Sequence, residues 1–193
     1  MKLHARQILG AAAVVAVASL AATTVPATAN PASVASKFAD QGRDANLTSK
    51  QIAELQKEVE KQVAVTGGRQ IALNKIAVNG GEMGIPVPGE DRVLDLAASK
   101  AKATKVYAGC RQGNFCGWKG RNGTGADWQR GACNVDHEIP DGWNSGGSWQ
   151  NNQTRGLVAE FRGKRHNHLS YTPPAPTGIV NGDWAPVWYV RAC

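Results

Sequence analysis

Apolar and polar positions follow different patterns in the two halves of the chain. In the first half, apolar residues recur at steps of three and four residues, which predicts a helix with one apolar stripe. These residues are Ile52, Leu55, Val59 and Val63. Thr48 and Gln51 have the spacing of a capping box at the start of this helix, and the glycines at 67 and 68 end it.

After the helix, the pattern predicts a β-hairpin. Apolar and polar residues alternate over 70–78, Asn79-Gly80-Gly81 suits a tight turn with positive φ, and residues 82–87 form the returning strand. One helix and one hairpin bury too little apolar surface to be stable alone. Residues 30–88 are therefore predicted to form a small N-terminal module. It docks either on the second half, as a pro-region or regulatory cap, or on another protein.

Two segments of the first half lack a clear periodicity of apolar and polar residues. Residues 30–46 are polar and rich in small side chains, which predicts a loose segment or a frayed helix. Residues 89–105 predict an exposed linker. Its lysine-rich end has two interpretations, a plain connection or a processing site for extracellular proteases.

In the second half, short apolar runs alternate with clusters of Gly, Asn, Asp and Pro. The runs occupy residues 106–107, 115–118, 157–161 and 187–190. Short strands between closely spaced turns are typical of a small sandwich or barrel. Residues 106–193 are therefore predicted to form a mainly β domain, and all six tryptophans of the chain lie within it.

The N-terminus has the three parts of a secretory signal peptide. Lys2 and Arg6 make it positive, residues 8–20 are apolar, and Ala27-Thr28-Ala29 has the form of a cleavage site. The apolar run of about 13 residues is shorter than the roughly 20 residues that span a bilayer. We therefore predict a signal peptide over residues 1–29 and a secreted, extracellular protein that has no membrane partner after its removal.

All four cysteines lie in the second half, at Cys110, Cys116, Cys133 and Cys193. An even number in an exported chain predicts two disulfides, and three pairings are open. We favour Cys110 with Cys116, which closes a short loop, and Cys133 with Cys193, which fastens the C-terminus. A zinc site is disfavoured because the paired C-x-x-C knuckles of structural zinc sites are missing.

The charge of the chain does not favour a nucleic-acid partner. The formal net charge is +7, and loss of Lys2 and Arg6 with the leader lowers it to +5. A nucleic-acid binder concentrates its basic residues on one face or helix. Here the one tight cluster is Arg162, Lys164 and Arg165, which we interpret as a solvated turn.

The second half also resembles a known family. The motifs are Cys110-x-x-Gly113-x-x-Cys116-x-Trp118, an Asn-Gly-x-Gly turn at 122–125, and Trp143-Asn144-Ser145-Gly146-Gly147-Ser148-x-x-Asn151-Asn152. Over roughly residues 107–161, this order resembles the secreted actinobacterial peptidase inhibitors typified by the Streptomyces metalloproteinase inhibitor. The resemblance implies a βγ-crystallin-like Greek-key sandwich and inhibition of an extracellular protease, a metalloprotease as in that family, through an exposed loop. Residues 47–88 also resemble the N-terminal segment of such precursors.

Two loops are candidates for an inhibitory segment, which must be rigid so that binding costs little conformational entropy. We place first the segment after Cys133, because the cysteine anchors it. The segment comprises Asn134, Val135, Asp136, His137, Glu138, Ile139, Pro140 and Asp141. Residues 162–177, basic at one end and proline-rich at the other, are the second candidate.

The alternative function is the binding of cell-wall glycan, or a killer-toxin-like antimicrobial activity. Trp143 and Trp149 lie among Gly and Asn residues, so we expect them to be exposed and able to stack on sugars. A basic surface would favour anionic wall polymers.

Catalytic and metal-binding patterns are weaker. In an extended segment, Asp136 and His137 point to opposite sides and form no relay. His166 and His168 would share one strand face but lack a third metal ligand, and residues 144–149 lack the carboxylate expected of a calcium site. Metal, cofactor and enzymatic activity are therefore not predicted.

One pair of carboxylates leaves a glycosidase open. Glu160 and Asp183 could serve as its acid and base only if the fold brings them within about 5 to 10 Å of each other.

Overall fold

A computed structural model describes residues 31–102 and 104–193, and the predicted signal peptide lies outside this range. The helices are α1 (Pro31–Asp44), α2 (Ser49–Thr66) and α3 (Leu96–Lys102). The strands are β1 (Arg69–Ala72), β2 (Lys75–Val78), β3 (Gly81–Gly84), β4 (Asn114–Trp118), β5 (Asp127–Arg130), β6 (Asp136–Glu138), β7 (Gly146–Asn152), β8 (Glu160–Arg162), β9 (His168–Tyr171), β10 (Val180–Asp183) and β11 (Tyr189–Arg191). The fold is mainly β, as predicted.

The described strands form two antiparallel sheets. Sheet A has seven strands in the order β1-β2-β3-β5-β4-β7-β10, and sheet B has four in the order β6-β11-β8-β9. Strand β3 pairs with β5, so that Gly81 lies opposite Arg130 and Gly84 opposite Asp127. The first three strands therefore extend the sheet of the second half.

Strands β4 to β11 form two four-strand units that exchange their third strands. In the first unit, β4, β5 and β7 lie in sheet A with β7 beside β4, whereas β6 lies at the edge of sheet B. In the second unit, β8, β9 and β11 lie in sheet B with β11 beside β8, whereas β10 lies at the edge of sheet A. Each sheet is thus completed by one strand from the other unit.

Helix α2 begins and ends where the sequence predicts. The Thr48 hydroxyl accepts a hydrogen bond from the Gln51 backbone N–H at 3.2 Å, and the Thr48 N–H donates to the Gln51 side chain at 3.0 Å. These two bonds are the predicted capping box. At the other end Gly67 has φ 63°, and its N–H donates to the Val63 carbonyl, a left-handed cap that suits glycine.

The predicted hairpin is a three-stranded meander. The prediction of one strand over residues 70–78 was wrong, because the chain turns at Leu73 and Asn74 between β1 and β2. Both residues are buried, and the Asn74 side chain donates to the Leu94 carbonyl at 2.8 Å. A buried asparagine with a partner in a distant segment fixes this turn, and local alternation does not reveal that partner.

The two segments with little pattern contribute to the core. Residues 31–44 form helix α1, which buries Phe38 against α2 and the meander. Residues 89–105 are less exposed than predicted, because Val93, Leu94 and Leu96 are buried and Leu94 forms a bridge with Tyr107.

Two hydrophobic cores result, which we call the aliphatic core and the aromatic core. The aliphatic core consists of Phe38, Ile52, Leu55, Val59, Leu73, Ile76, Met83, Ile85, Val87, Leu94 and Leu96. The aromatic core between the sheets consists of Phe115, Trp128, Ile139, Trp143, Ala159, Phe161, Trp184, Val187, Val190 and Ala192. Ala126 packs against both cores.

The disulfides follow the favoured pairing. Cys110 is bonded to Cys116 and Cys133 to Cys193, with sequence separations of 6 and 60 residues. Two disulfides indicate an oxidising environment. Within the described residues, every helix is too short or too polar to cross a membrane.

Candidate functional site

The first-ranked segment, residues 134–141, is built around a strand. Its centre forms β6, the edge strand of sheet B, which pairs with β11 so that His137 lies opposite Val190. Pairing continues past both ends, because Asn134 N–H donates to the Cys193 carbonyl at 3.2 Å and Ile139 N–H to the Trp188 carbonyl at 3.0 Å. The prediction of an exposed loop was therefore wrong for the centre of the segment.

Side chains of the segment divide into a buried and an exposed set. His137, Ile139 and Pro140 are buried, and Ile139 belongs to the aromatic core. Asn134, Val135, Glu138 and Asp141 are exposed, Val135 by 45%. The segment is anchored from inside the sandwich and presents short polar or apolar groups to solvent.

Asp136 fixes the outer face of β6. Its carboxylate accepts hydrogen bonds from Arg162 Nη1 at 2.9 Å, Arg191 Nε at 2.7 Å and His166 Nδ1 at 2.6 Å. Burial alone would raise the pKa of Asp136, but the bonds from His166, Arg162 and Arg191 outweigh it and lower the pKa to about 2. The carboxylate therefore stays charged, and the network stays intact, at neutral pH.

The predicted solvated turn is tied into this network. Arg162 also contacts Glu160, with 3.0 Å between Nε and Oε2, and His168 Nδ1 lies 3.1 Å from Glu160 Oε1. The ring of His166 stacks on Tyr189 with centroids 4.1 Å apart. The second-ranked segment, residues 162–177, therefore begins in the hairpin between β8 and β9, whose side chains are fixed by these contacts.

The candidate catalytic and metal-ligating side chains have separate partners. His166 contacts Asp136 and His168 contacts Glu160, while Asp183 lies in the other sheet and accepts from the Ala185 N–H at 3.0 Å. Among the described residues, no cluster of three His, Cys, Asp or Glu side chains could hold a metal ion.

A groove of about 390 Å³ runs along β6, and Tyr189 of β11 also lines it. One wall comprises the end of α2 and the turn between β2 and β3, and the other is β6 itself. Its lining includes Val78, Asn79, Trp128, Arg130, His137 and Ile139. The turn contacts β6 directly, because a Cβ on Gly80 would lie 2.5 Å from His137 Cε1.

His137 forms part of the floor of this groove. Burial lowers the pKa of His137, and the positive charge of Arg130 lowers it further. Its Nε2 lies 3.0 Å from the Ala132 carbonyl, which can only accept, so Nε2 carries the proton of the neutral imidazole. The ring meets Trp128 edge to face, which makes His137 a packing residue.

The two tryptophans predicted to be exposed belong to the interior. Trp143 is only 5% exposed and packs on Trp184, with centroids 5.5 Å apart. Trp149 is half-buried and stacks on Phe115 at 6.2 Å. The prediction was wrong for Trp143 because its polar neighbours in sequence are not its neighbours in space.

Glycines in sheet A make room for this packing. A Cβ on Gly147 would lie 2.2 Å from Trp184 Nε1, and one on Gly117 would lie 3.0 Å from Trp184 Cζ2. The indole N–H of Trp184 donates to the Trp118 carbonyl at 2.9 Å. Glycines within strands, here in neighbouring β4 and β7, were the sequence signal that a bulky group approaches the sheet closely.

A second groove, of about 270 Å³, lies where edge strands β9 and β10 face each other. Trp149 and Tyr171 line it together with Asn181 and Asp183. Tyr171 is 61% exposed, and Leu169 and Val180 beside it are also exposed. Sequence reasoning missed this groove because its residues come from distant strands.

No protein-family model, no curated protein and no solved structure matches the chain.

Proposed function

We propose that the protein is a secreted inhibitor of an extracellular metalloprotease and that residues 134–141 form its inhibitory segment. The preorganisation of this segment carries the proposal. Cys133 is bonded to the C-terminus, Asp136 accepts three charge-assisted hydrogen bonds, and Ile139 is buried. A segment fixed at three points loses little conformational entropy when an enzyme binds it.

The strand order supports the βγ-crystallin-like fold that belongs to this proposal. In a Greek key, the fourth strand returns to lie beside the first. Here β7 lies beside β4 and β11 lies beside β8, once in each four-strand unit. The same connections place β6 at a sheet edge, where its outer side chains are accessible to a partner.

The test is a titration of residual protease activity at nanomolar enzyme with the oxidised protein that lacks residues 1–29. We expect stoichiometric loss of activity of one enzyme in a panel of metallo and serine proteases. Replacing the exposed Glu138 by Ala should weaken inhibition at least tenfold. The matched control is Glu54→Ala, which removes an exposed carboxylate of α2 and should leave inhibition unchanged.

Two results would count against inhibition by this segment. One is the absence of inhibition across the panel by a protein whose disulfides and secondary structure are intact. The other is equal inhibition by wild type, Glu138→Ala and Val135→Ala, which would place the contact elsewhere.

Glycan binding is the second candidate, and the groove between β9 and β10 favours it. Aromatic faces beside amide and carboxylate groups suit sugar rings with hydroxyls. Tyr171→Ala should abolish co-sedimentation with purified cell-wall glycan. Trp188→Ala, which removes another partly exposed aromatic residue, 39% accessible, should not. Equal retention of both variants on the glycan would exclude this groove.

A further inference from the structure

Arg130 is a buried cation at the end of β5. Its side chain is 6% exposed and lies over the Trp128 ring, with Cζ 4.4 Å from the ring centroid. Nη1 donates to the Gln129 carbonyl at 3.1 Å, whereas the buried Nε has no acceptor among the described residues. A guanidinium carries five N–H donors, and among the described residues Arg130 makes one hydrogen bond, from Nη1.

The charge of Arg130 is also uncompensated. Burial lowers the pKa of Arg130 to about 9, and no described carboxylate forms an ion pair that would offset this. Burying an unpaired charge is costly, and buried charges in proteins are normally paired. At neutral pH the side chain remains a cation, and it lines the groove beside β6.

Arg130 is the one lysine or arginine among the described residues that line the groove. The acidic residues along it are Asp136, Glu138 and Asp141. Asp136 is already paired with two arginines and His166, and Glu138 is on the outer, exposed side of β6. Asp141 also lines a separate cavity next to Lys119. Arg130 thus faces no competing carboxylate in contact with it.

The turn between β2 and β3 closes the groove beside Arg130. A Cβ on Gly81 would lie 3.0 Å from Arg130 Nη1, and Gly80 abuts His137. A peptide that runs along β6 from the Ile139 side would therefore meet this turn at His137. The edge of β6 offers backbone hydrogen bonds to an added strand, and Val78, Met83 and Ile139 offer apolar contacts.

We propose that the groove beside β6 binds the C-terminal carboxylate of an extended peptide, which pairs with Arg130 while the peptide backbone adds to the edge of β6. The site requires a peptide rather than a simple anion, because only a chain uses both the cation and the strand edge. The groove shares residues 135–141 with the proposed inhibitory segment, but binding of a peptide carboxylate in it does not depend on inhibition.

The experiment is a calorimetric titration of the oxidised protein with three acetylated tetrapeptides of valine and threonine. The first has a free C-terminus, the second a C-terminal amide, and the third a C-terminal amide with an internal glutamate. We expect the free acid to bind at least tenfold more tightly than either amide. Tighter binding is expected because a charge-assisted bond to a buried guanidinium exceeds a neutral one.

Arg130→Met should lose this preference for the free acid, whereas Arg155→Met, which removes an exposed arginine, should keep it. If circular dichroism shows that Arg130→Met fails to fold, Arg130→Lys, which retains a cation, takes its place in the titration. The proposal is overturned if acid and amide bind equally, if neither binds at millimolar concentration, or if the internal glutamate replaces the free terminus.

Discussion

The two halves of the chain are stabilised by different means, although one sheet runs through both. The aliphatic core is covered by helices α1 and α2, and no cysteine lies in the first half. The aromatic core lies between two sheets and is cross-linked by both disulfides. Packing and hydrogen bonds hold the first half without a covalent cross-link, whereas disulfides restrict the unfolded chain of the second half.

The junction of β3 with β5 joins the two halves of the chain. It consists of a four-residue ladder, and the Gly84 N–H also donates to the Asp127 carboxylate at 2.8 Å. The first three strands would form an isolated meander without this junction, and a small sheet needs a cover to be stable. The comparison therefore teaches that the first half depends on the second through β5.

The largest effect should come from removing the long disulfide. Replacing Cys133 and Cys193 by Ser opens a loop with a sequence separation of 60 residues, and we expect a loss of about 4 kcal/mol in the free energy of unfolding. Urea unfolding followed by tryptophan fluorescence measures it. The matched control replaces Cys110 and Cys116, whose short loop is worth about 2 kcal/mol. Equal losses would contradict the loop argument.

The next largest loss in the free energy of unfolding should come from Gly81→Ala, which disrupts the pairing of β3 with β5. A Cβ at this position would lie 1.8 Å from the Gln129 carbonyl oxygen, so that β3 must move away from β5. We expect a loss of about 3 kcal/mol, at the upper end for overpacking. Gly109→Ala meets open space and should be neutral. Hydrogen exchange should show faster exchange of the β3 amides in the first variant only, and unchanged exchange would argue against the junction's role.

The pH dependence of stability should reveal Asp127 at the same junction. Burial raises the pKa of Asp127 to about 6, against the Gly84 N–H and the charge of Lys75, which lower it. The folded protein thus holds this proton more tightly than the unfolded chain does. Stability is full below about pH 4 and falls as pH rises to about 6, by roughly 2 kcal/mol.

Urea unfolding of wild type and Asp127→Asn between pH 4 and 7 tests this expectation. The variant should lack the decline seen in the wild type over this range. If both proteins show the same slope, another group is responsible.

A smaller effect should come from the aliphatic core. Val59 is fully buried in α2, and Val59→Ala should cost about 2 kcal/mol through lost burial and the remaining cavity. Val65 is exposed on the same helix, and Val65→Ala should cost less than about 0.5 kcal/mol. Circular dichroism at 222 nm reports the helices. A large loss in the free energy of unfolding for Val65→Ala would show that the end of α2 packs against another part of the protein.

Elements with local causes could be predicted from the sequence. The capping box of Thr48 and Gln51 acts within four residues, and the apolar stripe that follows it is read directly from the spacing. The class of the second half was also predictable, because short runs between turn residues indicate strands. The disulfide pairing was one of three open on the sequence, and the favoured one, with a short loop at Cys110 and a fastened C-terminus, is confirmed.

Features with distant causes could not be predicted. The pairing of β3 with β5 joins segments that have no shared pattern, and Asn74 turns the chain because its partner is Leu94. In the candidate site, Asp136 accepts hydrogen bonds from residues of β8, of β11 and of the turn between β8 and β9. The sequence did not distinguish Arg130 from other arginines, because neither its burial nor its stacking on Trp128 can be inferred from composition.

The position of β3 in sheet A has a consequence for the order of chain synthesis. Gly84 and its partner Asp127 are 43 residues apart, and the ribosome delivers the earlier one first. Until β5 emerges, β3 lacks its partner strand, and an unpaired strand edge is a template for pairing with other chains. The interval between translating these two strands is therefore the time at which this protein is most exposed to aggregation.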